Sequence, residues 1–239
     1  MNYLVYCIFR GPLPVALEIP DGVAGYRVFT ANYNGLGAAL SKLAEPHAPS
    51  DTSDLLAYAR VVESFYRHLT VIPVRFGCRV ECPYDAVIML RENHQAYSAL
   101  LRELEGLAEV GIQVLLENSL APGETDQSAN LPKWFPRHAS APGAAFLTAK
   151  KLGCQSDQHA TTVQHALVEN LCASLHGSFV RHKVEFPERS HLLSLYFLVP
   201  RDSVETFRHA ACQFPANPSY KLLLSGPRPP YNFVDVLQP

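Results

Sequence analysis

The chain has 239 residues, enough for one large domain or two small ones. Hydrophobic residues make up 48% and charged residues 18%, so a sizeable core is available and global disorder is excluded. Lys and Arg total 20 against 22 for Asp and Glu, which gives neither the basic footprint of a nucleic-acid binder nor a polybasic membrane patch.

The apolar run Tyr3 to Phe9 has no basic region ahead of it and is cut off by Arg10. It therefore reads as a first strand, Leu4–Phe9, and not as the core of a signal peptide. A turn follows at Gly11–Pro14. Tyr26–Ala31 and Leu36–Leu43 flank Asn34-Gly35, a dipeptide suited to the positive φ angles of a tight hairpin. Leu36–Leu43 is rich in alanine and also fits a short helix.

An amphipathic helix starts near Asp54, with Asp51 or Ser53 as cap. Leu55, Tyr58, Ala59, Val62, Phe65, Tyr66 and Leu69 fall on one of its faces. Thr70–Phe76 is then apolar and partly β-branched, and Gly77 ends it as a strand. Alternation puts Ile72, Val74 and Phe76 on a core face, with Val71, Pro73 and Arg75 opposite. Pro73 lacks a ladder donor, which marks an edge strand or a bulge. Arg75 has two readings: a structural cation paired with a carboxylate or helix-end carbonyls, or an exposed guanidinium on an edge that docks another chain.

A second helix covers Tyr84–Leu104 with Val87, Leu90, Tyr97, Leu101 and Leu104 on one stripe, and Gly106 near its end. Val110–Leu116 reads as a closing strand. Two helices among about five strands give an α+β unit over residues 1–117. Residues 118–143 hold four prolines among small polar residues and read as a linker or long loop. Trp134 and Phe135 within it either tuck back onto a domain or await a partner.

A second α+β unit is expected over residues 144–224. Its helical stretch, Ala144–Leu175, is interrupted near Gly153 and carries Val163, Leu167, Leu171 and Leu175 in register. Ser178–Phe186 and His191–Val199 make two strands around a turn at Pro187–Ser190, Asp202 caps a helix to Cys212, and Tyr220–Leu224 is a final strand. Residues 225–239 form a Pro-rich C-terminal strap whose prolines hold Ser225–Val234 extended. Tyr231 and Phe233 either pin that tail to the protein's own surface or, with the bare PxxP match at Pro227–Pro230, meet a partner.

The longest apolar run, Leu192–Val199, falls far short of a membrane span, so a soluble cytoplasmic protein is expected. The six cysteines form no CxxC pair and read as reduced and mostly buried. None of the ten histidines makes an HExxH, and neither a GxSxG elbow nor a phosphate loop occurs. Gly35-Leu36-Gly37 lacks the third glycine of a dinucleotide fingerprint. These patterns point to no catalytic residue, cofactor or metal site.

Four blocks in this order resemble the GvpL/GvpF family of gas vesicle proteins: LLAYARVVESFYRHLTVIPVRFGC at Leu55–Cys78, LLRELEGLAEVGIQVLL at Leu100–Leu116, LLSLYFLVPRDSVETFR at Leu192–Arg208, and SGPRPPYNFV at Ser225–Val234. Arg228 stands where the family's GPWPPY tail has tryptophan. The resemblance implies a modified ferredoxin-like N-terminal domain, a C-terminal α+β domain and a non-enzymatic accessory protein of the gas vesicle, the buoyant gas-filled shell of prokaryotic cells. It implies GvpA, the hydrophobic shell protein, and other Gvp proteins as partners, with neither nucleic acid nor lipid membrane. Binding would limit GvpA aggregation and support nucleation and assembly of the vesicle. The expected partner contacts are Pro73, Arg75 and Phe76 at the strand edge, and Arg228, Tyr231 and Phe233 in the tail. The alternative is a small-molecule-binding protein or enzyme on a ferredoxin-like scaffold, recognised by a deep pocket gathering histidines or cysteines.

Overall fold

The computed structural model describes residues 2–43, 52–116, 164–186, 192–215 and 220–234. Two antiparallel sheets organise these residues. In the first, β1 (Asn2–Arg10) lies between β3 (Leu36–Leu43) and β4 (Val71–Pro73), and β2 (Val28–Tyr33) pairs with β3 at the far side. A two-residue β5 (Arg79–Val80) extends the β4 side by pairing with Tyr3 and Leu4. The β2–β3 turn has φ 43° at Asn34 and 81° at Gly35, the two positive angles a tight hairpin requires. Leu36–Leu43 is thus a strand, and the helical alternative is set aside.

β1 is buried on both faces, which accounts for its nearly unbroken apolar sequence. Tyr6 and Phe9 face α1 (Thr52–Tyr66), where Tyr6 stacks on Tyr58 and Phe9 packs at a tilt against Phe65, at 5.0 and 5.1 Å between ring centroids. Val5 and Ile8 face α2 (Pro83–Glu92) and α3 (His94–Glu103), packing in one cluster with Leu90, Tyr97 and Leu101. Covering on both sides also buries Val71 and Pro73, which strand alternation had placed away from the core. The Tyr58 hydroxyl sits against the carbonyl oxygens of Tyr6 (2.9 Å) and Val74, holding α1 to the junction of β1 and β4.

The predicted second helix is two helices. Asn93 ends α2 and begins α3 with φ −104° and ψ 16°, and its side-chain amide donates to the Met89 carbonyl at 3.0 Å beside its own backbone N–H at 3.1 Å. Gly106, at φ 72°, follows α3 as expected. The strand after it, β6 (Leu107–Leu116), does not close the first sheet. It is central in the second sheet, between β8 (Leu192–Pro200) and β9 (Tyr220–Arg228), with β7 (Arg181–Glu185) beyond β8. The physical reason is partner length: β4 offers three residues and a proline without an N–H, whereas β8 and β9 each offer nine.

Helical residues 164–174, here α4, and α5 (Val204–Cys212) cover this second sheet. Val163 and the expected helix start at Ala144 lie outside the described residues, as do Asp51, Trp134, Phe135, the 118–143 linker and the Pro187–Ser190 turn. Asp202 does not cap α5. It sits in a 3-10 turn, Arg201–Ser203, and accepts from Ser203 Oγ at 3.0 Å, leaving Ser203 at the cap position. One apolar cluster runs through both sheets, joining Tyr6, Phe9 and Phe65 to Val110, Ile112, Phe197 and Phe207.

Candidate functional site

The tail decides the site. The final strand runs four residues beyond Leu224 to Arg228, with a register irregularity between Glu109 and Gly111 and a cis Gly226-Pro227 bond. A 3-10 turn, Tyr231–Phe233, follows where an extended strap is expected. Glu109, wholly buried in β6, clasps this tail. Its Oε1 accepts from Arg228 Nε and Nη2, both at 2.8 Å, and from Asn232 Nδ2 at 2.7 Å; its Oε2 accepts from the Asn232 backbone N–H at 2.8 Å. Four charge-assisted donors on one carboxylate satisfy a group that would otherwise be costly to bury. The Arg228 guanidinium also lies 5.5 Å from the Tyr196 ring centroid, so a planar group covers that aromatic face.

Held this way, the tail forms one wall of a trough beside α1. One cavity of about 400 Å³ is lined by Leu55, Tyr58 and Ala59 of α1, by Pro73, Arg75 and Phe76, and by Tyr231 and Val234. A second, of about 690 Å³, adjoins it through the shared Ala59 and Tyr231 and reaches Tyr66, Arg67, Arg201 and Arg228. Leu55, which lines the smaller cavity, and its chain neighbour Leu56 are about half exposed. Leu55 and Ala59 belong to the predicted apolar stripe of α1, yet both are exposed and Leu55 and Ala59 face the trough instead of the core.

Five of the six expected contact residues therefore come together. Pro73, Arg75, Phe76 and Tyr231 line the smaller cavity and Arg228 the larger. Arg75 is exposed and has no carboxylate partner among the described residues. Phe233 departs from the expectation. It is 2% exposed and packed in the cluster with Leu101 and Leu198, under the Arg181 guanidinium at 5.3 Å, so it anchors the tail from inside. Sequence reasoning missed Glu109, although a carboxylate within the apolar stretch Leu107–Leu116 is the same kind of signal as Arg75 in its own strand.

Burial raises the phenol pKa values of Tyr58, Tyr66 and Tyr231, with Arg201 beside Tyr66 and Arg228 near Tyr231 pulling the other way. The trough phenols thus stay neutral near neutral pH, and its charge is set by its arginines and Glu63. A phenol whose pKa is raised in the folded state contributes stability that is intact below the unfolded value of 10.0 and lost as pH rises toward the folded one. We expect unfolding free energy to be insensitive to these groups near neutral pH and to fall above about pH 10. The share of tyrosinate absorbance that comes from the buried phenols should then appear together with loss of circular dichroism; ionisation of every tyrosine with the circular dichroism unchanged would contradict it.

These observations define an α+β scaffold of two antiparallel sheets with an arginine-lined trough formed by α1, the β4 edge and the C-terminal tail. The chain belongs to the gas vesicle synthesis protein GvpL/GvpF family, whose model matches residues 2–235. It is similar to gas vesicle protein F2 of Halobacterium salinarum, at 26% identity over 227 residues, covering 93% of this chain and 87% of that protein. Its fold is that of the crystal structures of GvpF from Anabaena sp. PCC7120 and Microcystis aeruginosa, each with a TM-score of 0.73, at 16% and 15% identity. Those alignments cover 98% of this chain and 96% and 99% of the two structures. Membership places the chain with the accessory proteins of the gas vesicle.

Proposed function

We propose that this protein binds the hydrophobic shell protein GvpA through the trough, limiting its aggregation and supporting nucleation and assembly of the vesicle. An unassembled shell subunit that exposes apolar surface and strand edges is prone to associate with itself, and a soluble protein covering that surface keeps it competent. The observation that carries this reading is the convergence of Pro73, Arg75, Phe76 and Tyr231 on one cavity beside the exposed Leu55. Such a surface, apolar with a cation at its rim, suits a protein partner and requires no catalysis. Neither cavity of the trough is lined by histidine or cysteine, the groups whose gathering in a pocket would favour the small-molecule reading.

Co-expression with GvpA tests it. The two proteins should co-purify, and the soluble fraction of GvpA should rise. Leu55→Asp alters an exposed position, so the variant should fold with an unchanged melting temperature yet retain about tenfold less GvpA. Absence of co-purification together with unchanged GvpA solubility would overturn the proposal.

A further inference from the structure

The larger cavity has a charge pattern that its apolar walls do not explain. Arg67, Arg201 and Arg228 line it against a single carboxylate, Glu63. Glu63 is paired with Arg67 at 2.8 Å, and Arg228 is paired with Glu109 underneath. Arg201 is left with no carboxylate among the described residues. It is fixed in place: its guanidinium lies 4.0 Å from the Tyr66 ring centroid, Nη2 donates to the Tyr66 carbonyl at 3.1 Å, and Nε approaches the Leu107 carbonyl at 3.4 Å. Its Nη1, like that of Arg228, has no acceptor among the described residues. Tyr66 adds a buried hydroxyl beside the Arg201 guanidinium.

Two held guanidinium groups, each with one nitrogen unused, stand over a floor of Ala59, Ala108, Val204 and Tyr231. Cations fixed in advance and backed by apolar surface bind a carboxylate more strongly than mobile surface side chains do, because no rotamer freedom is lost and water is partly excluded. In the adjoining cavity Arg75 repeats the arrangement, an exposed cation beside Phe76 and Tyr231. Cations and apolar groups lining the same cavities call for a ligand with both features.

We propose that the trough recognises a protein segment that carries both carboxylates and apolar side chains, the carboxylates on Arg201 and Arg228 and the apolar groups on the floor. This specifies the chemistry of the partner segment and rests on the trough being the docking surface. The complementarity is charge as well as shape, so binding weakens with salt, and a neutral or basic segment of equal hydrophobicity is rejected.

The test uses the full chain and two blocked peptides, one alternating leucine with glutamate and one alternating leucine with glutamine, titrated by calorimetry. The acidic peptide should bind about tenfold or more tightly than the amide peptide, and that preference should shrink at high salt. Arg201→Gln should abolish the preference. Because Arg201 also holds two backbone carbonyls, Arg67→Glu provides a second variant at a position whose side chain is 68% exposed, reversing charge at the rim without touching the core. It should reduce the preference with only a small drop in melting temperature, because an exposed ion pair with Glu63 becomes a like-charge pair. Equal binding of both peptides, or binding of neither, while GvpA still co-purifies overturns this inference and leaves the docking proposal standing. A preference that Arg67→Glu leaves intact also overturns it. Loss of GvpA capture with the acidic preference retained overturns the GvpA proposal alone.

Discussion

Replacing Arg228 with alanine is expected to lower the unfolding free energy by about 3 kcal/mol, read from the shift of a denaturant midpoint at constant slope. The size follows from what is left behind. Glu109 is wholly buried and would keep only its two bonds from Asn232. Removing one partner of a buried ion pair costs about 3–5 kcal/mol, and the lower end applies because the Arg228 side chain is 36% exposed. The converse change is milder. In Glu109→Gln, Arg228 can turn to water and the amide oxygen still accepts from Asn232, so about 1–2 kcal/mol is expected. The double variant should then cost less than the sum, with a coupling of about 1–2 kcal/mol. Arg228→Trp, which restores the tail residue of the GPWPPY pattern, strands Glu109 in the same way and should improve when Glu109→Gln is added. An Arg228→Ala protein as stable as the parent would show that the clasp contributes nothing.

How much of this could be read from sequence varies with the range of the interaction. The hairpin at Asn34-Gly35 was legible because its requirement, two positive φ angles, is local. The edge position of β4 was legible because Pro73 advertises a missing donor. The break between α2 and α3 was not, since the apolar stripe runs straight through it and what marks it is the non-helical backbone of Asn93, with its side-chain bond to Met89. The position of β6 was not legible either. Its alternation reveals one buried face, but no local pattern says which sheet that face joins. The clasp was hidden for the same reason: Arg228 and Asn232 are 119 and 123 residues beyond Glu109. For the trough, the edge and tail residues carried a visible signal. The exposure of Leu55 did not, because a periodic stripe does not reveal where a helix overhangs its core.

Phe197→Ala is expected to cost about 3–5 kcal/mol, the range for deleting a buried aromatic side chain. Phe197 is wholly buried in β8, with ring centroids of Phe179 and Phe207 at 5.0 and 5.2 Å. Its more informative consequence concerns cooperativity. The boundaries expected from sequence divide the chain at residues 117 and 144, so a β8 lesion should weaken the second unit alone. The strand pairings and core suggest otherwise: β6, from the first half, is central in the second sheet, and Phe197 shares its apolar cluster with Tyr6 and Phe9 of β1. A cluster continuous across both sheets makes opening either one expose the other's core, which favours a single transition. We therefore expect amide exchange protection in β1 and β8 to fall together in Phe197→Ala, by the same free energy. Loss of protection in β7, β8 and β9 with β1 unchanged would instead establish two independently stable units. In that case the trough, built from α1 and β4 on one side and the β9 tail on the other, would lie across a joint between them.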